Sequence, residues 1–209
     1  MQVRKRDGTL EDLNIDKLHK VVMYACEGIA GVSASQVEIN SKIQFFDKID
    51  TEDIQETLIK SAADLISEEA PNYQYVAGRL INYHLRKMVY GQFEPPCLCD
   101  IVQDNIDKGF YDAEFTKLYT KDEINELQSY IDHERDEVLT YAAMEQFRGK
   151  YLVQNRASGQ IFETPQVAYM MIAATLFSKY PKETRMGYIK RYYDAISRFK
   201  ISLPTPVMA

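Results

Sequence analysis

The chain has 209 residues, 45% hydrophobic and 27% charged, with 7 prolines and 9 glycines, a composition that allows one large or two smaller folded domains and excludes a disordered or fibrous chain. A formal net charge of −6 excludes the generally basic surface of most nucleic-acid binders, so an anion must be held by a local basic patch. No apolar run approaches the roughly 20 residues that span a bilayer and no apolar signal core follows Met1–Lys5, so a cytoplasmic chain is expected.

In chain order, Val3 to Arg6 and Thr9 to Leu13 should pair around Asp7-Gly8, the dipeptide favoured where a two-residue hairpin turn needs positive φ at both central positions. Asn14 stands where it can cap a helix running to about Gly28, with Ile15, Leu18, Val21, Val22 and Ala25 on its apolar face. Lys5 and Lys17 could then share an anion beside a helix N-terminus, although a solvated surface ribbon accounts for the same residues. Ser33 or Ser35 opens a second helix whose Val37, Ile39, Ile43, Phe45 and Phe46 are expected in the core. Asp50-Thr51-Glu52-Asp53 starts a third, with Ile54, Leu58, Ala62, Leu65 and Ile66 on one side. Thr51 and Gln55 lie one turn apart and can face an anion together, while capping alone also explains Thr51. After Pro71 a fourth helix is expected over Asn72 to Tyr90, apolar through Tyr73, Val76, Leu80, Tyr83 and Val89. Arg79, His84, Arg86 and Lys87 give it a basic side near its C-terminal end, where they equally complement the helix dipole.

Gly91-Gln92-Phe93-Glu94-Pro95-Pro96 ends this unit, since paired prolines remove two donors, and a boundary is placed between 1–91 and 92–209. Short helices are expected over Leu98 to Lys108, Thr120 to His133 and Val138 to Phe147. Lys150 to Gln154 and Gln160 to Glu163 read as strands of a hairpin around Asn155–Gly159. Val167 to Phe177 is apolar on nearly every side and should be buried in something larger; Pro181 opens a further helix to about Phe199. Lys200 to Ala209 reads as a strand and a proline-bracketed turn that should lead into more structure. The 3 cysteines, Cys26, Cys97 and Cys99, suit a reducing compartment; Cys97-Leu98-Cys99 lacks further zinc ligands, and His19, His84 and His133 form no triad by spacing.

The runs Val3–Gly8, Gln44–Asp47, Ala62–Ser67, Tyr90–Pro96, Gly149–Arg156 and Phe199–Pro206 together resemble the N-terminal part of the class Ia ribonucleotide reductase large subunit, over essentially the whole chain. The resemblance implies a mainly α fold: an ATP-cone of a β-hairpin and four-helix bundle over 1–91, then the mostly helical N-terminal part of a ten-stranded α/β barrel domain, ending at its first strand. It implies an allosteric activity site at which ATP activates and dATP inhibits, contacted by Lys5, Glu11, Asp12, Leu13, Asn14, Ile15, Asp16, Lys17, Thr51 and Lys87. Thr205 alone matches a substrate-contact position, for a ribonucleoside diphosphate. No catalytic residue and no metal is implied in this chain, because the family's radical and redox cysteines would follow later and Cys26, Cys97 and Cys99 match none of them. The family often has a histidine where this chain has Gln55, which leaves dATP inhibition open. Implied partners are a C-terminal companion chain with the rest of the barrel, the radical-generating small subunit, and thioredoxin or glutaredoxin as reductant. One half of a split large subunit, a non-catalytic nucleotide-binding or assembly module, and a cloned truncation are the readings that follow.

Overall fold

The computed structural model describes residues 1–42 and 44–208, so Ile43 and Ala209 lie outside the described residues. Contacts divide the chain into two compact units: Met1–His84 with Glu137–Glu145, and Leu85–Asp136 with residues from Gln146 onward. No helix among the described residues is long and apolar enough to cross a membrane.

In the first unit β1 (Gln2–Arg4) pairs antiparallel with β2 (Leu10–Asp12), Val3 opposite Glu11, which is the expected hairpin. Its turn differs from the expected one: Gly8 N–H donates to the Lys5 carbonyl at 2.9 Å and Gly8 takes φ +83°, while neither Arg6 nor Asp7 has positive φ. The loop is thus an ordinary turn over Arg6 and Asp7, closed by one left-handed glycine. Asp7 Oδ1 holds it by accepting from Thr9 N at 2.9 Å and Thr9 Oγ1 at 2.6 Å. A third strand with no signature of its own, β3 (Ile49–Asp50), pairs parallel with β1 and sets Arg4 opposite Asp50. Helices α1 (Ile15–Cys26), α2 (Ala34–Lys42) and α3 (Thr51–Ala63) follow the expected order, and α4 (Tyr73–Tyr90) begins in this unit. Val3 and Ile49 from the strands and Val22, Ala25, Val37, Leu58, Ala62, Val76 and Leu80 from the helices are buried. Each large apolar side chain so enclosed contributes about 1.5–3 kcal/mol.

One expectation needs correction here. Phe45 and Phe46 are not core: α2 ends at Lys42, so the 3.6-residue phase stops before them, and Phe46 is 61% exposed, as Ile39 is at 60%. Of the basic residues expected on α4, His84 and Arg86 are buried. Within the second unit, Arg86 Nη2 donates to the His133 carbonyl at 2.9 Å.

The second unit takes the end of α4, then α5 (Leu98–Asp107), α6 (Phe115–Leu118) and α7 (Lys121–Tyr130). The helix expected over Val138 to Phe147 forms as the shorter α8 (Tyr141–Gln146), most of which belongs to the first unit, and a 3-10 turn (His133–Val138) precedes it. Thr120 and Glu123 form a capping box on α7, and Arg185 joins it by donating to Glu123 Oε1 at 2.5 Å while stacking 4.2 Å from the Tyr119 ring. Lys150 to Gln154 is not a strand: a π-helical turn (Phe147–Tyr151) closes there, Leu152 N–H reaching the Phe147 carbonyl at 3.0 Å, and pairing is confined to β4 (Gln154–Asn155) and β5 (Gln160–Ile161). Then come α9 (Pro165–Leu176) and α10 (Lys182–Ser197). Val167, Met170, Ala173 and Ala174 of α9 are buried, whereas Leu176 is exposed. The strand expected from Lys200 does not form; a bend leads to the short α11 (Thr205–Met208), because a strand needs a neighbour to bond with and none among the described residues runs beside it.

Candidate functional site

Arg4, Lys5 and Arg6 leave β1 in succession, and each finds one carboxylate. Lys5 Nζ donates to Glu11 Oε1 at 2.9 Å across the hairpin, Arg4 Nη1 lies 3.4 Å from Asp50 Oδ1, and Arg6 Nε lies 3.1 Å from Glu52 Oε1. All three pairs are exposed, so each contributes only about 0.2–1 kcal/mol and yields readily to a stronger anion. Because β1 pairs with β3, Arg4 and Arg6 flank Thr51, the first residue of α3.

The two helix starts in this unit differ. At α1, the Asn14 side chain accepts from Lys17 N at 2.9 Å and so satisfies one end group. At α3, Asp50 is in the capping position but its side chain makes no capping hydrogen bond, so the first N–H groups of α3 keep their capacity for an anion. The α3 N-terminus thus lacks a side-chain cap, and Arg4 and Arg6 pair with Asp50 and Glu52 on either side of its first residue. Gln55, one turn further along α3, has its side-chain oxygen buried with no hydrogen-bond partner. Tyr83 on α4 has its hydroxyl pushed up by burial, with the charge of Arg6 opposing the shift. His84 Nε2 lies 3.6 Å from Glu56 Oε1.

The structure therefore joins Lys5 to Glu11 and Asn14 to Lys17. Asp12, Ile15, Asp16 and Lys17 are exposed between β2 and the first turn of α1, and Leu13 N–H donates to the Met1 carbonyl at 2.9 Å. Lys87 stands on the last turn of α4, half-buried, and by its contacts belongs to the second unit. Thr205 opens α11 in that same unit, its Oγ1 3.4 Å from Tyr151 Oη. Arg4 and Arg6 were not singled out by the sequence reasoning. What marks them is the parallel pairing of β1 with a strand far along the chain, which no local pattern announces. Among the described residues no group of three or more His, Cys, Asp and Glu gathers as a metal ion would require.

Comparison with known proteins gives two family matches: residues 1–88 match the ATP cone domain, and residues 137–209 match the ribonucleotide reductase all-alpha domain. The chain is 56% identical to ribonucleoside-diphosphate reductase 1 subunit alpha of Escherichia coli K12 over 207 residues, which is 99% of this chain and 27% of that protein. It is 54% identical to the corresponding alpha subunit of Haemophilus influenzae, covering 100% of this chain and 28% of that one. To the alpha subunit of bacteriophage T4 it is 42% identical, again over 100% of this chain and 28% of the relative. The chain thus spans little more than a quarter of the length of the relatives it matches.

Proposed function

From the premise that this chain belongs to the ribonucleotide reductase family, carrying its ATP cone and all-alpha domains and resembling the N-terminal region of its alpha subunits, we propose that the first unit binds ATP or dATP as an allosteric effector. We propose further that the chain works with a companion polypeptide carrying the remaining barrel, a radical-generating small subunit, and thioredoxin or glutaredoxin, in reducing ribonucleoside diphosphates. The observation that carries the effector reading is the α3 N-terminus, which lacks a side-chain cap and is flanked by Arg4 and Arg6 beside the Lys5–Glu11 pair. A triphosphate there would displace weak surface carboxylates and gain charge-assisted bonds of roughly 1.5–3 kcal/mol each. Glu11, once released from Lys5, and the exposed Asp12 are acceptors for ribose hydroxyl or adenine amine groups. In this reading Lys17 and Thr51 complete the contacts within the first unit, and Thr205 meets the substrate.

Calorimetry of the 209-residue chain with ATP tests it. Lys5→Ala should weaken binding about tenfold or more, since 1.4 kcal/mol is a factor of ten. Unchanged affinity in this variant would move the site elsewhere.

A further inference from the structure

Asp7-Gly8 is the one Asp-Gly pair in the sequence, which has no Asn-Gly. In such a pair the carboxyl carbon of the aspartate and the next backbone nitrogen can close a five-membered ring, and glycine, with no Cβ, puts nothing in the way. Both residues are exposed, and a Cβ built on Gly8 would meet no atom within 4 Å. Each reacting group is nevertheless engaged. Gly8 N–H donates to the Lys5 carbonyl at 2.9 Å, while Asp7 Oδ1 accepts from Thr9 N at 2.9 Å and from Thr9 Oγ1 at 2.6 Å. The bond from the Thr9 hydroxyl is the largest cause holding the Asp7 carboxyl below its ordinary range, and therefore ionised. An ionised carboxyl is the poorer electrophile, because ring closure must expel one of its oxygens and that oxygen leaves readily only as water. The turn is thus a reactive pair whose carboxylate is held by the next residue.

We propose that Asp7-Gly8 is a site of spontaneous isoaspartate formation in this chain, and that the Thr9 hydroxyl is the group that holds the reaction back. Gly8 N attacks Asp7 Cγ, the new N–Cγ bond forms, and the carboxyl OH leaves with the amide proton as water, giving a succinimide. Water then adds back at either carbonyl of the ring. Opening at Cγ breaks the new bond and restores Asp7, whereas opening at the main-chain carbonyl breaks the original peptide bond and leaves Gly8 joined through the side chain. One water is lost and one regained, so no oxidant, reductant or cofactor is needed. The product carries an extra backbone carbon inside the loop that the Lys5 N–H to Thr9 carbonyl bond closes at 2.8 Å, and so disturbs the β1–β2 register. Nothing in this step depends on nucleotide binding.

The parent chain, Thr9→Val and Thr9→Ser are kept at neutral pH and body temperature for several weeks, each folded and, in parallel, unfolded in guanidinium chloride. The tryptic peptide Asp7–Lys17 is then analysed by mass spectrometry with electron-transfer fragmentation, which tells an isoaspartyl link from an aspartyl one. In the folded chains isoaspartate at residue 7 should accumulate about threefold or more faster in Thr9→Val than in the parent, as loss of one hydrogen bond implies. Thr9→Ser, which keeps the hydroxyl, should stay with the parent, and the three unfolded chains should react alike. Equal rates in folded Thr9→Val and folded parent, or a Thr9→Ser rate matching Thr9→Val, overturn Thr9 as the guard. No isoaspartate at residue 7 in the unfolded parent overturns the site itself. Should Thr9→Val fail to fold, the parent decides alone: it should react more slowly folded than unfolded, and equal rates overturn the proposal.

Discussion

Asp136 is fully enclosed, accepting from Gln166 Nε2 at 2.8 Å with Arg86 Nη2 3.8 Å from its other oxygen. Burial outweighs these partners and pushes its carboxyl from 3.8 up to about 7. A raised carboxyl means that the folded state binds the proton more tightly than the unfolded one, so this stabilisation is complete below about pH 4 and is lost as pH rises through about 7. Melting temperature should therefore fall between pH 5 and 8, each kcal/mol moving it by roughly 2–4 °C at this size, and Asp136→Asn should flatten the slope. Parallel melting curves for the two proteins would refute this. Gln55 supports a second residue-scale prediction, because its side-chain oxygen is a buried acceptor without a donor. ATP carries a 2′-hydroxyl that can donate there and dATP does not, so ATP should bind about 2–10-fold more tightly, and Gln55→Met should erase the preference. Calorimetry with both nucleotides on both proteins measures it; a preference that survives Gln55→Met places the discrimination elsewhere. The turn spacing of Thr51 and Gln55 was legible in the sequence. The Arg86–Asp136 contact was not, since two residues far apart in the chain carry no mark of their meeting.

Among elements, α4 shows how a neighbour constrains a helix beyond its own periodicity. A Cβ built on Gly78 would lie 2.1 Å from the Leu139 carbonyl oxygen, a backbone atom that cannot swing away. Gly78→Ala should therefore destabilise the chain by about 1–3 kcal/mol or more despite alanine's better helix propensity, read as a lower urea midpoint. An unchanged or raised midpoint would mean that the 139–140 segment yields freely. The long amphipathic helices α1, α3 and α4 were legible from apolar spacing, and Asn14 caps α1 as its side chain suggests. The π-helical turn at Phe147–Tyr151 was not. Lys150-Tyr151-Leu152-Val153 carries β-branched and aromatic residues like a strand, but packing of Tyr151 edge-on to Phe147, 6.1 Å between ring centres, goes with one extra residue in the turn.

At the scale of the whole molecule, the chain spans about 27% of the length of the Escherichia coli relative, and the thiol chemistry of a reductase has no residue to carry it in our reading of this chain. Purified alone it should reduce no ribonucleoside diphosphate; mixed with a companion chain, a small subunit and a thioredoxin or glutaredoxin it should. Product formation by the chain alone, followed with CDP by chromatography, would sink that account. By itself the sequence determined the helical class, the hairpin, the order of the main helices and the resemblance to one family, because helix periodicity, turn dipeptides and uncommon runs are local and survive without neighbours. Only the tertiary structure decided that β3 joins β1 and brings Arg4 and Arg6 to the start of α3, that Arg86 and His84 turn inward, and that Lys200–Met208 bends instead of extending. Those outcomes depend on burial, charge pairing and strand partners supplied from distant parts of the chain, and a residue's local pattern does not encode which partner it will meet.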